Sequence, residues 1–321
     1  MIKKAIIALF FLIISSGMLA SASSAGQVVT AEMRSWAKAA LEQEKLIKGS
    51  AAPNTVAITN FNNKTEKSDL DVLQKGLAFM LITDLSKVRD LQVVERARIQ
   101  AITEELGLGV SGLVEPGSSA RVGRLLQAEY VIGGDILNDE LEKFRLNSAL
   151  MKVSEGGVVS EPSARGQLLE ELFRMEKDLL FKIIDDLKIK LSEGERSELK
   201  KPVTENLMAL MYMIDGIEHS DRGNYDQAAD SYEKALKEDP NLEPAKEALN
   251  ELQELGLIGK GKKGSKLLNS LRDRTSLTDQ LSPEYPTKRS KRPDVLMEPQ
   301  ESPNRGEDGG DYNQNPNSGP Q

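Results

Sequence analysis

The chain contains no cysteine, one histidine (His219) and one tryptophan (Trp36). Without cysteine it can form no disulfide, no thiolate metal site and no cysteine nucleophile, and one histidine cannot make a histidine-rich metal centre. Aromatic residues are 4% of the sequence, too few for the stacking platforms that hold single-stranded nucleic acid. A net charge of −8, with both signs interspersed, leaves no basic footprint for nucleic acid. Long apolar runs are also missing, except one near the start.

That run is Ala5–Ile14, AIIALFFLII. It follows Lys3 and Lys4, is broken by Gly17, and is followed by the small residues LASASSA. A basic start, a short apolar stretch and small residues before a cut describe a secretory signal peptide, with cleavage after about Ala22 or Ala25. Ten apolar residues fall short of the ~20 that span a bilayer. No cysteine follows to carry a lipid. The mature chain is expected to be exported and periplasmic, with outer-membrane association left open and no transmembrane helix.

After residues 1–25, the expected organisation is an N-terminal helix and linker over 26–52, a layered α/β domain over 53–192, a helical module over 200–257 and a disordered tail over 258–321. The N-terminal helix reads as Ala31–Lys48, with Met33, Trp36, Ala37, Ala40, Leu41 and Leu46 mostly on one stripe. Trp36 reads as a packing anchor. Thr55–Phe61 reads as a strand. Ser68–Val88 reads as an amphipathic helix that Ser68 or Asp69 can cap. LQVVER (Leu91–Arg96) is a second short strand, and ARIQAITEEL a helix. A further helix is expected at about Ser118–Gln127 and a third strand at Tyr130–Leu137. Lys143–Ser154 and Gly157–Arg165 read as a hairpin with Pro162 at an edge or end, followed by a helix over Gln167–Leu191. Alternating strands and helices, then a hairpin, indicate one α/β or α+β layer domain. Seven of the chain's 13 prolines fall beyond Gly259, in a stretch with no apolar periodicity, hence the disordered tail.

Two glycine clusters raise the question of nucleotides. GLGVSG (Gly107–Gly112) has the G-x-G-x-x-G form, but a dinucleotide site needs a strand before it and a helix opening at its last glycine. Here a helix precedes it, and Leu113–Pro116 does not read as a helix start. Gly107 reads as the left-handed residue that ends the preceding helix. GKGKKGSK (Gly259–Lys266) resembles a phosphate loop with its final lysine and serine transposed. No strand precedes it, so it reads as a basic hinge, and its lysines leave contact with anionic lipid, peptidoglycan or polymer open. Asp69 and Asp71 sit where a helix dipole favours them. Asp135 in GGD reads as a turn residue and His219 as a helix-surface residue. No catalytic, cofactor-binding or metal-ligating constellation emerges, so no enzyme is expected.

Three ordered segments carry a family resemblance: VAITNFNNKT at Val56–Thr65, VVERARIQAITEELGL at Val93–Leu108 and ARVGRLLQAEYVIGGDI at Ala120–Ile136. In this order they resemble the CsgG family of curli assembly proteins, whose fold is shared with the TolB amino-terminal domain and the LpoB activators of cell-wall synthases. The matching positions include Phe61, Val94, Glu95, Arg96, Tyr130 and Gly133. The resemblance implies an envelope protein that works by protein contact without catalysis. It would place Phe61 and Val94 under the sheet and Arg96 at a helix start. The curli protein is a lipidated secretion pore. This chain lacks the cysteine, and its candidate for a membrane hairpin, Lys143–Arg165, carries Lys143, Arg145, Lys152 and Glu161 where a lipid-facing row is needed.

A second resemblance is to the tetratricopeptide repeat. Gly216, Ala228, Tyr232, Ala235 and Pro240 stand at the spacings of its small, aromatic and terminating positions, within about Ala209–Leu242. Small residues let two helices approach, Tyr232 fills the hollow and Pro240 ends the second helix. Such repeats present a groove to protein partners. The resemblances together imply a scaffold or assembly accessory that meets envelope proteins through the repeat groove or the sheet domain, with homo-oligomers left open. A curli-type outer-membrane channel and an activator of a cell-wall synthase are the alternatives.

Overall fold

The structure is a computed structural model and describes residues 26–46, 51–108, 116–138 and 143–259. The expected signal peptide, Gly109 and Gly112, GKGKKGSK beyond Gly259 and the tail lie outside the described residues.

The sheet is built from β1 (Thr55–Asn63), β2 (Gln92–Val93), β3 (Tyr130–Asn138), β4 (Phe144–Lys152), β5 (Gly157–Ser160) and β6 (Ser163–Gly166). Its order is β2-β1-β3-β4-β5, with β6 beside β5 along β4. β1 pairs in parallel with β2 and β3, whereas β4 is antiparallel to β3, β5 and β6. The helices are α1 (Ala31–Glu42), α2 (Val72–Leu85), α3 (Arg96–Glu105), α4 (Pro116–Leu126), α5 (Leu168–Asp186), α6 (Glu193–Leu199), α7 (Leu207–Asp221), α8 (Tyr225–Glu238) and α9 (Glu243–Glu254). The crossover β1-α2-β2 leaves β1 on one side, and β2-α3-α4-β3 returns on the other. Right-handed connections therefore put α2 and the α3–α4 pair on opposite faces. α5 packs on β4, β6 and α2, which completes a three-layer arrangement.

Several elements depart from the expected bounds. α1 stops at Glu42, where the polar run Glu42-Gln43-Glu44 ends its apolar stripe, and a single 3-10 turn follows at Glu44–Leu46. Neither Ser68 nor Asp69 caps α2. They lie in a 3-10 turn, Ser68–Leu70, and α2 begins after Asp71. LQVVER is strand only at Gln92–Val93, because Arg96 already opens α3. α4 does start at Pro116, contrary to the sequence reading; proline at a first helical position loses no hydrogen bond there. Pro162 splits the last strand of the sheet into β5 and β6, while its carbonyl still accepts from Ser148 N at 2.8 Å. α5 ends at Asp186, before Lys188 turns left-handed (φ 59°). The unforeseen α6 is set by a reciprocal capping box between Ser192 and Glu195. Asp135 lies inside β3, where its carboxylate accepts from Asn62 Nδ2 (3.2 Å) and Lys64 Nζ (3.0 Å).

Gly107 (φ 66°) ends α3: its N–H donates to Glu104 O and that of Leu108 to Thr103 O. Gly134 has a different reason. A Cβ there would stand 2.1 Å from the Asn147 carbonyl oxygen and 2.5 Å from Phe61 Cε1. Backbone cannot yield to that contact. Gly134→Ala is expected to cost about 3 kcal/mol, read as a fall in the denaturant midpoint. An unchanged midpoint would mean that β1, β3 and β4 are not so closely apposed.

Candidate functional site at the seam of sheet and helical module

α2 looks amphipathic by spacing, but it holds the run Leu77–Ile82 and is buried almost all round. A helix buried on every side must be covered by more than a sheet. The second cover is the helical module α7–α9. Gly76 lets it approach: a Cβ on Gly76 would lie 2.6 Å from Ile214 Cδ1 of α7. Within the module, a Cβ on Gly216 would lie 2.3 Å from Tyr232 Cε1, so the tyrosine ring rests directly on the α7 backbone. Ala228, Tyr232 and Ala235 are fully buried, and α8 ends at Glu238, just before Pro240.

The seam is polar at its centre. Asp221, the last residue of α7, accepts from Lys75 Nζ of α2 (2.9 Å) and from both terminal nitrogens of Arg96 of α3 (2.8 and 3.2 Å). Arg34 of α1 donates to its backbone carbonyl at 2.5 Å. Burial alone would lower the pKa of the Arg96 guanidinium, but the Asp221 carboxylate, with Tyr232 and Glu251 beyond it, offsets this and the net shift is upward. Four elements far apart in sequence thus meet at Asp221, three of them at its carboxylate and α1 at its backbone carbonyl.

The remaining faces of Arg96 hold the segment before α1. Its Nε donates to Gln27 Oε1 (3.1 Å), and a terminal nitrogen donates to the Gln27 carbonyl. Gln27 N and Val28 N donate to the Glu251 carboxylate of α9 (2.9 and 3.4 Å). Val29 O accepts from Tyr225 Oη of α8 (3.1 Å) and from Arg34 (3.2 Å). Val28 and Val29 are fully buried. An extended piece of the chain itself therefore lies between α3 and the helices α8 and α9.

A second buried cluster joins α2 to α5. Asp84, fully buried, accepts from Lys177 and from Lys87 Nζ (3.0 Å). Glu176 lies beside it, with Lys177 Nζ 3.5 Å from its Oε2 and no hydrogen-bond partner at Oε1. Burial first, and then the Asp84 carboxylate, push the Glu176 carboxyl up to about 8, with Lys177 pulling the other way. The folded chain therefore holds a proton that the unfolded chain has already released, so stability falls as pH rises from about 5 to 8. Glu176→Gln is expected to flatten that slope in thermal melts. An equally steep slope in the variant would assign it elsewhere.

The sequence-read positions fall as follows. Phe61 and Val94 are buried. Val94 N extends the β1 pairing by donating to Val56 O (2.9 Å). Glu95 stands just before α3 and Arg96 begins it. Tyr130 opens β3, and Gly133 in its middle accepts at its carbonyl from Ser148 Oγ (2.9 Å). Trp36 is half-buried with the Arg98 guanidinium 4.4 Å from its ring centre. His219 is half-buried on α7, 3.6 Å from Asp215. Among the described residues, no group of three or more His, Asp or Glu stands where it could hold a metal, and no helix is long and apolar enough to cross a membrane. Lys75, Asp84, Glu176, Asp221 and Glu251 were not singled out in sequence. The signal available was the unbroken apolar run of α2, which calls for cover on every side.

Comparison with known families decides the middle of this arrangement. Residues 38–142 match the family of the curli production assembly/transport component CsgG. The matched stretch, about a third of the chain, holds β1–β3, α2 and α3, and so includes Lys75 and Arg96 of the seam. A curated relative, "Putative adenylate cyclase 3" of Rhizobium meliloti (strain 1021), is 26% identical over 148 residues. These are 45% of this chain, and the chain spans about a fifth (22%) of that relative's length. Among solved structures, the LpoB C-terminal domain from Salmonella enterica is similar at 18% identity and a TM-score of 0.31, covering 42% of this chain and 95% of that one. Lipoprotein GNA1162 from Neisseria meningitidis is similar at 12% identity and a TM-score of 0.30, covering 44% and 100%.

Proposed function

We propose that this is an exported, non-enzymatic protein of the cell envelope that acts as an assembly or secretion accessory. Its CsgG-family domain and tetratricopeptide-like module together form a scaffold for partner proteins. The observation that carries the reading is the seam: the repeat is welded through Asp221 to Arg96, which lies in the stretch that resembles the family. A scaffold whose two modules must keep a fixed spacing needs such a joint. The side of the repeat facing α2 and α3 is filled by the chain itself. Partners are therefore expected on its outer side, where Met208 is half exposed, or along the sheet domain.

The second reading, a curli-type outer-membrane channel, is favoured by the description of the matched family. Against it stands the segment read as a membrane hairpin. All nine residues of β4 pair with β3, and Leu146 and Leu150 are buried in the core. An activator of a cell-wall synthase is the same scaffold reading with one partner specified.

Size exclusion with light scattering on the exported chain, with and without detergent, separates these. A monomer or small oligomer that needs no detergent is expected. A large closed ring that requires detergent would overturn the scaffold in favour of the channel.

A further inference from the structure

The helices do not cover the two faces of the sheet equally. Along β4, Leu146, Ser148 and Leu150 are buried on the side that α5 covers, and the residues between them point to the other face. On that other face α4 covers one end, where a Cβ on Gly123 would lie 2.3 Å from Val153 Cγ2 and 2.8 Å from Val131 Cγ2. Toward the carboxyl end of β3 the same face is open to solvent. The pairing register sets its side chains in two rows across β3, β4 and β6: Asp135–Asn147–Ser163, and next to it Leu137–Arg145–Arg165. Arg165 is exposed and the other five are half-buried.

Arg145 and Arg165 stand directly opposite each other. Ser148 N donates to Pro162 O, which makes 148 and 162 a hydrogen-bonded pair; by alternation, 145 and 165 are a pair without hydrogen bonds. Such pairs have the closer spacing, with Cα atoms about 4.5 Å apart. Like charges placed this way destabilise a sheet. Among the described residues, neither guanidinium meets a carboxylate or another hydrogen-bond acceptor. The one carboxylate of the two rows is already taken: Asp135 accepts from Lys64 Nζ (3.0 Å) and Asn62 Nδ2 (3.2 Å). The face thus holds two adjacent positive charges that lack a counter-charge.

Strand addition does not suit this region. The outward carbonyls of β6 are held by α5: Ser163 O accepts from Lys182 Nζ, and Arg165 O from a terminal nitrogen of Arg174 (2.9 Å). Recognition is left to the side chains of the face. Leu137, paired in register with Arg145, sets an apolar surface beside the two charges. An acidic polysaccharide brings carboxylates but no apolar side chain for Leu137; an acidic peptide brings both.

We propose that this face docks an acidic segment of a partner protein, with a carboxylate clamped between Arg145 and Arg165 and a neighbouring apolar side chain on Leu137. Arginine presents a planar fork of donors to a carboxylate, so two of them can hold one acidic side chain from both sides. The inference rests on the scaffold reading and places one partner site on the sheet domain.

The test uses the exported chain and a fluorescein-labelled peptide of Glu-Glu-Leu-Gly repeats, with Gln-Gln-Leu-Gly repeats as its neutral counterpart. Fluorescence anisotropy is expected to show binding of the acidic peptide only, weakened at least about tenfold in Arg145→Gln and in Arg165→Gln. Arg222→Gln, on α7 and paired with Glu218, is expected to bind like the parent. Both face variants are expected to melt at or above the parent temperature, because each relieves the repulsion. Lower melting would give the two arginines a structural role and overturn the clamp. Equal binding by the parent and both variants, or no binding at all, would overturn the surface. So would tighter binding of polygalacturonate or of phosphatidylglycerol vesicles, which would make it a polymer or lipid site. Light scattering judges the scaffold separately. A small oligomer that needs no detergent and ignores the peptide would keep the scaffold and overturn this face alone; a ring that requires detergent would overturn the scaffold.

Discussion

Asp221→Asn is expected to lower the melting temperature by roughly 6–20 °C. Asp221 is buried at the end of α7 and is the counter-charge to both Lys75 and Arg96. The amide keeps the shape and removes the charge, leaving two buried cations facing a neutral group. Breaking a buried ionic cluster from one side costs about 3–5 kcal/mol, because the partners stay desolvated. In a domain of this size each kcal/mol is worth about 2–4 °C. The same reasoning makes a second, opposite prediction. Replacing the set together, with Lys75→Met, Arg96→Met and Asp221→Leu, is expected to recover much of the loss, since no charge is then left unpaired. Arg96→Met also frees Gln27 O and Oε1, so the recovery is expected to be partial. Calorimetry on the single and triple variants checks both. A single variant that melts like the parent would show that Asp221 does not join the sheet domain to the helical module.

Ala228→Arg is expected to unfold the helix pair α7–α8. Ala228 is fully buried in α8, the helix whose Tyr232 rests on Gly216 of α7. There is no room for a long side chain, and a guanidinium forced in would be an unpaired buried charge, worth about 3–5 kcal/mol. The effect should not stop at α8. If α7 is displaced, Asp221 leaves Lys75 and Arg96, and Tyr225 leaves Val29. Loss of helical signal should therefore accompany loss of the native tertiary signal from the half-buried Trp36 on α1, next to the segment that α8 and α9 hold. Normal circular dichroism and normal melting would defeat the assignment of α7 and α8 as a closely packed repeat pair. Gly216→Ala is the milder form of the experiment: its Cβ would sit 2.3 Å from the Tyr232 ring, and a cost of about 1–3 kcal/mol is expected.

Much of the domain was legible because it depends on neighbours in sequence. The strand at Thr55, the helix after it and the strand at Tyr130 follow from runs of apolar residues and their period. Gly107 could be read as a helix terminator because left-handed backbone has few other occupants. The spacing from Gly216 to Pro240 specified a helix pair, since close approach requires small residues at fixed intervals. The strand at Leu91–Arg96 was read too long, since it ends at Val93; the family resemblance placed Arg96 at a helix start, as found, but not the commitment of its side chain to Asp221.

Tertiary structure alone decided the charges. Lys75, Asp84, Arg96, Glu176 and Asp221 look in sequence like any polar residues on helix surfaces, because a charge is normally hydrated. They are buried because each meets a partner that the fold delivers from elsewhere: Lys75 and Asp221 are 146 positions apart, Arg96 and Asp221 125. The same holds for Gln27–Val29, a short segment with no periodicity, held from more than 220 positions away by Glu251. Period and spacing report what a residue's neighbours along the chain can do. Whether a charge can leave water depends on which opposite charge arrives through space, and only the folded chain fixes that.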